Sequence, residues 1–134
     1  MMAYTLIEVS RKTQIPHTKL KFWIKKGLFS YVERGDNGVH YFSEQDIHWA
    51  RWVGYFRLSK MSIKELKIYE KLLYEGAQKY RQKRLEMLKI QKKKLDVELE
   101  KLSQIAKLFT QSIEECEQRI KNKESHKGIL PPQI

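Results

Sequence analysis

Apolar residues recur at helical spacing through residues 5–76, except over residues 28–42. Thr5 and Glu8 have the spacing of a capping box, in which a hydroxyl and a carboxylate each bind a free backbone N–H, so a helix is predicted to begin at Thr5. Pro16 ends this helix, and a second amphipathic helix is predicted over residues 17–26. Two short helices in this order are typical of a helix-turn-helix. The side chains expected to face inward are Leu6, Ile7, Val9, Leu20, Trp23 and Ile24.

Aromatic and branched residues replace the helical spacing over residues 28–42. They flank the sequence Gly35-Asp36-Asn37-Gly38, whose residues tolerate positive φ, so a β-hairpin is predicted over this whole segment. Helical spacing returns after the hairpin. A third helix is predicted to follow the N-cap Ser43, and a fourth to follow a full capping box that begins at Ser62 and to end at Gly76.

Between residues 77 and 123 the chain has neither proline nor glycine, and its apolar residues follow a seven-residue repeat. Ten of eleven seam positions are apolar, counting alanine and cysteine, which is typical of a coiled coil. Such a helix, about 70 Å long at 1.5 Å per residue, presents more apolar surface than the rest of the chain can cover, so a second copy is the expected partner. The seam consists of Leu85, Leu88, Lys92, Leu95, Leu99, Leu102, Ala106, Phe109, Ile113, Cys116 and Ile120.

The order of these elements predicts a mainly α fold with three parts. A helix-turn-helix followed by a hairpin is a winged-helix arrangement, which we assign to residues 1–75 as a DNA-binding head. Residues 76–123 are expected to form the dimerisation helix. Residues 124–134, which contain Gly128 and two prolines, are expected to form a flexible tail.

The composition narrows the class of protein. A chain of 134 residues has the length of one domain, and it shows neither a membrane-spanning stretch nor a signal peptide, so we expect a cytoplasmic protein without membrane contact. The single cysteine, Cys116, argues against a disulfide scaffold and a zinc finger. No catalytic group of side chains and no phosphate-binding loop is present in the sequence. An enzyme is therefore the least favoured class, and no cofactor or metal site is predicted.

The charge points to a polyanionic partner. The chain has 27 Lys and Arg against 16 Asp and Glu, a formal net charge of +11. Counting to Lys60 gives ten basic and five acidic residues, so +5 lies on the head and +6 beyond it. The net charge alone does not choose between nucleic acid and anionic lipid as the partner. For the cations of the head, the two interpretations are contact with double-stranded DNA and a solvated basic surface without a ligand. The candidate DNA contacts on the second helix and the hairpin are Thr18, Lys19, Lys21, Lys25, Arg34, Asn37 and His40.

Four segments within about the first 70 residues carry a family pattern. They are Tyr4-Thr5-Leu6-Ile7-Glu8-Val9, Thr18-Lys19-Leu20-Lys21-Phe22-Trp23-Ile24-Lys25-Lys26-Gly27-Leu28, Asn37-Gly38-Val39-His40-Tyr41-Phe42-Ser43-Glu44-Gln45-Asp46-Ile47 and Met61-Ser62-Ile63-Lys64-Glu65-Leu66. In this order and with these gaps, they resemble the MerR family of bacterial transcription regulators. The resemblance implies a homodimer joined by an antiparallel coiled coil. It further implies that the protein binds a pseudo-palindrome in an over-long promoter spacer and distorts that DNA. The distortion lets RNA polymerase engage the promoter, so the polymerase is an indirect partner.

The recognition helix and the wing depart from the residues usual in that family, which has Arg-Tyr where this chain has Lys21-Phe22. Lys21 keeps the cation but loses the bidentate fork, and Phe22 lacks the phenolic hydroxyl. In the wing, Gly38-Val39-His40-Tyr41 stands where Gly-Tyr-Arg-Tyr is usual, so a mostly neutral imidazole replaces a permanent cation. The resemblance adds Phe22 and Tyr41 to the candidate DNA contacts.

Two features have a structural and a functional interpretation. In the structural interpretation, Trp52, Val53 and Phe56 of the third helix pack against the first helices and the fourth. In the functional one, Trp49, Trp52 and Tyr55 line an apolar effector pocket, with Trp49 and Tyr55 as its exposed walls. In the structural interpretation, Cys116 is a small buried seam residue. In the functional one it is a sensor, with only His126 near it in sequence. In an antiparallel pair centred near residue 100, the two Cys116 residues would lie about 48 Å apart.

A second basic run lies early in the long helix. Residues 79–94 contain eight basic residues against the single acid Glu86. In one interpretation this face is solvated and pairs with Glu114, Glu115 and Glu117 of an antiparallel partner, and in the other it adds phosphate contacts beside the head. The pairing is favoured, and Lys92 on the seam is the kind of polar residue that fixes register.

Three functions follow from the sequence. The first is a cytoplasmic, nucleoid-associated transcription regulator that binds DNA as a homodimer. The second is an architectural or chromosome-positioning DNA-binding protein with the same head. The third, an adaptor whose head has lost DNA binding, draws its support from the departures at Lys21-Phe22 and Val39-His40.

Overall fold

The computed structural model describes residues 3–122 and folds them into five helices and a two-stranded sheet. The prediction of a mainly α winged helix-turn-helix with a long C-terminal helix is confirmed. The chain divides into two compact units, one ending at Gln91 and the other beginning at Lys92. The elements are α1 (Leu6–Thr13), α2 (His17–Lys25), β1 (Glu33–Arg34), β2 (His40–Tyr41), α3 (Glu44–Leu58), α4 (Ile63–Glu75) and α5 (Arg81–Lys121). The predicted tail and His126 lie outside the described residues.

Side-chain caps fix where the helices of the head begin. At α1 the Thr5 hydroxyl accepts from the Glu8 N–H at 3.3 Å, and the Glu8 carboxylate accepts from the Thr5 N–H at 3.0 Å, so the predicted capping box is confirmed. Ser43 caps α3 as predicted. At α4 the prediction of a full capping box is wrong. Ser62 accepts from the Glu65 N–H at 3.1 Å, as in a capping box. The Glu65 carboxylate, however, accepts from the Ser62 hydroxyl and not from the Ser62 N–H.

The helix-turn-helix is held by short polar contacts around its turn. Gln14 ends α1 in the left-handed conformation, at φ 59°, and the Ser10 hydroxyl donates to the Ile15 carbonyl at 2.6 Å. Val9 is fully buried, whereas Ile7 is 59% exposed, so its predicted inward position is wrong. Ile7 lies about 200° around the helix from Val9, at about 100° per residue, and therefore faces solvent.

The hairpin is shorter than predicted. Only Glu33–Arg34 and His40–Tyr41 pair, antiparallel, and residues 28–32 form turns. Gly27 and Phe29 adopt positive φ, at 95° and 64°, which breaks the extended backbone and directs apolar side chains of this segment into the core. Beyond the hairpin, Phe42 exchanges two backbone hydrogen bonds of 2.8 Å with Tyr4, which fastens the wing to the start of the chain.

A buried carboxylate joins the base of the wing to the helices. Glu70 of α4 is 2% exposed and accepts from the Phe29 N–H at 2.7 Å, the Trp49 indole at 2.9 Å and the Ser30 hydroxyl at 3.2 Å. These donors come from the turn after α2 and from α3. Burial raises the pKa of Glu70, and the hydrogen bonds from Phe29, Trp49 and Ser30 oppose that rise.

Two polar residues of α5 are buried against the head. Arg84 donates to the Leu72 and Ala77 carbonyls at 3.2 and 2.6 Å, and Gln91 donates to the Ser59 carbonyl at 2.7 Å. These bonds satisfy carbonyls near the ends of α4 and α3, which helices leave free. The expectation that the whole basic run 79–94 is solvated is therefore wrong at Arg84. The first three turns of α5 thus belong to the same compact unit as the head.

Candidate DNA-binding surface

Helix α2 presents its candidate contacts on one exposed face. Leu20 and Trp23 are buried against the rest of the head, which anchors α2 and turns the other side outward. Pro16 is the N-cap of α2 and makes no side-chain hydrogen bond to its first turn. The exposed residues among those predicted to contact DNA are Thr18, Lys19, Lys21, Phe22 and Lys25.

Phe22 and Lys26 form a feature of this face that the sequence analysis missed. Phe22 is 48% exposed, and the Lys26 ammonium lies over its ring, 5.4 Å from the centroid. The spacing of four residues, i to i+4, was the available signal, because it places two side chains together on a helix. The contact holds a cation beside the aromatic side chain that stands where the family usually has tyrosine.

The tip of the wing is a tight turn. Gly38 adopts φ 79°, and the Asn37 carboxamide oxygen accepts from the Val39 N–H at 3.1 Å. The Tyr41 ring lies so close to Gly35 that a Cβ there would come within 2.8 Å of it. Asn37, which is exposed, thus binds the turn through its oxygen, and Tyr41 packs against the same turn.

Arg34 and His40 face each other across the two strands. They are direct partners in the antiparallel register, and Arg34 Nε donates to His40 Nε2 at 3.0 Å. An imidazole that accepts at Nε2 is neutral. Burial, and then the charge of Arg34, lower the pKa of His40 below its usual 6.5, which agrees with that state. The pairing follows from the register of the hairpin, which sequence patterns alone did not fix.

Acidification is expected to strengthen DNA binding through this pair. As the pH falls through the lowered pKa of His40, protonation removes the acceptor at Nε2, frees Arg34 and adds a second cation to the wing. We expect DNA affinity, measured at constant ionic strength from neutral pH to about pH 5, to rise in the native protein and to rise less in His40→Gln. His48→Gln, on an exposed turn of α3, is the control and should retain the native profile.

The predicted effector pocket is wrong at Trp49. This side chain is 1% exposed, stacks on Tyr69 with ring centroids 5.7 Å apart, and donates to Glu70, so it belongs to the core. Trp52 and Tyr55 are partly exposed and pack edge to face at 5.5 Å. Two cavities of the head, of about 380 and 400 Å³, are lined by other residues, beside the helix-turn-helix turn and between α2 and the wing.

The predicted dimerisation residues lie along α5. Within residues 92–121, the seam residues Leu95, Leu99, Leu102, Phe109, Ile113 and Ile120 are exposed in the single chain, and Cys116 is half-buried. Leu88, nearer the start of the helix, packs against the core of the head. Among residues 3–122 no helix has the length and apolar content to cross a membrane, and no three metal-binding side chains converge.

Solved structures with this architecture include two of MerR regulators. One is HiNmlR, a MerR family regulator lacking the sensor domain, bound to promoter DNA, with a TM-score of 0.81, 23% sequence identity and 99% coverage of both chains. The other is a MerR family transcriptional regulator from Bacillus thuringiensis, with a TM-score of 0.78 and 21% identity over 85% of this chain and 99% of that one. At these identities the likeness establishes the fold.

Relatives by sequence are also regulators. The HTH-type transcriptional regulator AdhR of Bacillus subtilis is 28% identical over 71 residues, 53% of this chain and 51% of AdhR. An uncharacterized HTH-type transcriptional regulator of Haemophilus influenzae is 26% identical over 133 residues, 99% of this chain and 97% of that protein. The chain thus spans about half of the first relative and nearly all of the second. The model of the MerR HTH family of regulatory proteins matches residues 4–73, more than half of the chain. This protein therefore belongs to the MerR family of helix-turn-helix regulatory proteins.

Proposed function

We propose that this protein regulates transcription by binding double-stranded DNA through α2 and the wing. The observation that carries the proposal is the solvent-exposed cationic face of α2 on the same head as the cation of Arg34. In a winged helix, the second helix enters the major groove and the wing reaches the neighbouring backbone. Lys19, Lys21 and Lys25 then bind phosphates or base edges, and Thr18 supplies a polar contact to a base.

The regulator acts as a homodimer joined through α5, and it works on the chromosome in the cytoplasm. Two heads related by a twofold axis match a pseudo-palindromic site, and the dimerisation helices set the separation of the half-sites. Distortion of the promoter spacer between them would let RNA polymerase engage without touching the regulator directly. The exposed apolar residues of α5 support the dimer, and the relationship to HiNmlR supports promoter DNA as the ligand.

Genome-wide footprinting of the native protein tests this function against its alternatives. A regulator is expected to occupy one or a few sites inside promoter spacers. Many dispersed sites would favour the architectural role. A titration against sheared genomic DNA over a salt series completes the test, because a DNA-binding head loses affinity steeply as salt rises. Absence of both footprint and salt-dependent binding would contradict the proposal and favour the adaptor.

A further inference from the structure

We propose that the cavity beside the helix-turn-helix turn binds a small aromatic carboxylate, and that this ligand weakens DNA binding. The cavity, called the turn cavity below, has a volume of about 380 Å³ and is bordered by the turn, α2 and the C-terminal half of α3. Small-molecule sites typically measure about 300–1,000 Å³. The binding of the ligand stands without the proposed function, whereas its effect on DNA rests on that function.

The walls of the turn cavity are mostly apolar. Ile15 and Pro16 come from the turn, Phe22 and Trp23 from α2, and Leu58 from the end of α3. Phe22 is 48% exposed and Leu58 is 83% exposed, so large apolar side chains are left uncovered where the cavity opens. A flat aromatic ring in the cavity buries part of this surface and packs against the rings of α2.

Two cations give the turn cavity its charge. Lys19 and Arg57 line it, and no aspartate or glutamate is among the described residues that do so. Arg57 Nη1 donates to the Met61 carbonyl at 2.7 Å, which fixes the guanidinium in place. Within residues 3–122 the Lys19 ammonium has no hydrogen-bond or ion-pair partner. A cleft with cations only attracts anions, and an Arg–Lys pair suits a carboxylate.

A glycine of α3 keeps the turn cavity open. Gly54 lines the cavity from the interior of α3, where its backbone is helical. A Cβ at this position would meet Ile15 Cδ1 at 3.5 Å, which is an ordinary van der Waals contact. Glycine weakens a helix interior relative to alanine, and neither the backbone nor the packing requires it here. The missing side chain leaves space for a ligand.

The turn cavity shares two side chains with the candidate DNA-binding surface. Lys19 and Phe22 line the cavity and also belong to the exposed face of α2. A carboxylate bound to Lys19 neutralises a cation that the proposed function assigns to DNA. The two ligands therefore compete, and by linkage each lowers the affinity of the other by the same factor. A small aromatic carboxylate is thus expected to release the protein from DNA.

A titration of the full-length protein with 2-naphthoate, without DNA, tests the site. The indole N–H signals in the NMR spectrum report on each tryptophan, and Trp23→Phe assigns the signal of Trp23. We expect that signal to shift and those of Trp49 and Trp52, which do not line the cavity, to stay. 2-Naphthalenemethanol, which lacks the charge, should bind about fivefold more weakly. Acetate, which lacks the rings, should leave the signal in place.

Three of these outcomes would overturn the site. They are an unmoved Trp23 signal, equal shifts of all three indole signals, and equal affinities for 2-naphthoate and 2-naphthalenemethanol. The first two would mean that the turn cavity is not where the ring binds. The third would mean that its cations do not select an anion.

Substitutions in the turn cavity are the second test. Gly54→Leu places a side chain in the cavity, so the dissociation constant for 2-naphthoate is expected to rise about tenfold or more. Lys19→Gln should raise it about threefold, and Lys21→Gln, which removes the same charge from α2 outside the cavity, is the matched control. Native affinity in a folded Gly54→Leu, or equal effects of the two lysine variants, would overturn the site. If Gly54→Leu does not fold, the lysine variants decide.

Competition with DNA tests the effect of the ligand. At constant ionic strength, 2-naphthoate is expected to raise the dissociation constant of a labelled duplex in the native protein, and acetate should not. Gly54→Leu should bind the duplex as the native protein does and lose the response to 2-naphthoate. Binding of 2-naphthoate without any effect on DNA would overturn the competition. A protein that binds 2-naphthoate but no DNA would instead contradict the proposed function, and one that binds only DNA would overturn the site alone.

Discussion

Replacing Glu70 by alanine is expected to lower the free energy of unfolding by about 2–4 kcal/mol. The substitution removes the acceptor for the buried N–H groups of Phe29 and Trp49, which lie 41 and 21 residues away in the chain. A buried donor left without a partner costs about 1–3 kcal/mol. Removing a buried carboxylate also relieves its desolvation cost, which keeps the total below the sum of the two losses. Chemical denaturation followed by tryptophan fluorescence measures the change.

Glu70→Gln is the matched variant for this prediction. A glutamine oxygen in the place of Oε2 still accepts from Phe29 and Trp49, and its amide can donate to the Ser30 hydroxyl. We therefore expect a loss of about 1 kcal/mol, well below that of Glu70→Ala. Equal losses in the two variants would mean that the hydrogen bonds do not account for the stability.

The Glu70 carboxylate is also expected to make the free energy of unfolding depend on pH. Burial raises the pKa of Glu70 above its usual 4.5, so the folded protein binds this proton more tightly than the unfolded chain. The associated stability is fully present below pH 4.5 and is lost as the pH rises through the raised pKa. The free energy of unfolding of Glu70→Gln should lack this pH-dependent component, so subtracting its pH profile from that of the native protein isolates it. Identical pH profiles in the two proteins would contradict the assignment.

The double variant Lys21→Ala, Arg34→Ala is expected to bind DNA on the order of a hundredfold more weakly than the native protein. Each substitution removes one cation from α2 or the wing, and the proposed homodimer loses four. Because each neutralised phosphate releases bound counterions, the slope of log K against log salt should fall by about 3–4. Fluorescence anisotropy with one labelled duplex at several salt concentrations gives both quantities.

A control for this prediction removes the same charge elsewhere. Lys101 and Lys107 are exposed on α5 within residues 92–121, away from the seam positions. Lys101→Ala, Lys107→Ala is expected to keep nearly the native affinity and slope. If the two double variants weaken binding equally, net charge and not the α2–wing surface governs the affinity. An unchanged slope in Lys21→Ala, Arg34→Ala would contradict the assigned surface.

Local patterns predicted most of the helices because their causes are local. The capping box at Thr5 and the N-cap at Ser43 act over three residues, and the long helix followed from its seven-residue repeat. The predicted hairpin was too long, because residues 28–32 include aromatic and branched residues of the types common in strands. Positive φ at Gly27 and Phe29 instead turns that segment into the core, and the acceptor that pairs the Phe29 N–H comes from α4.

The candidate DNA-binding surface was predictable in part. Exposure of the cations on α2 follows from the buried spacing of Leu20 and Trp23, which helical periodicity already indicated. The state of the wing did not follow from the sequence, because a hydrogen bond between Arg34 and His40 depends on which residues the hairpin sets opposite each other. Trp49 was misassigned because an aromatic residue at helical spacing fits both a core and a pocket wall.

The sequence by itself determined the order of the helices, most of their boundaries, the seven-residue apolar repeat along α5 and the side of α2 that carries charge, since each depends on residues a few positions apart. The tertiary structure decided which polar groups are buried. Glu70 holds the turn after α2, and Arg84 and Gln91 bind the first turns of α5 to the ends of α4 and α3. A polar side chain is stable in the interior only where partners meet it, and these partners come from distant parts of the chain.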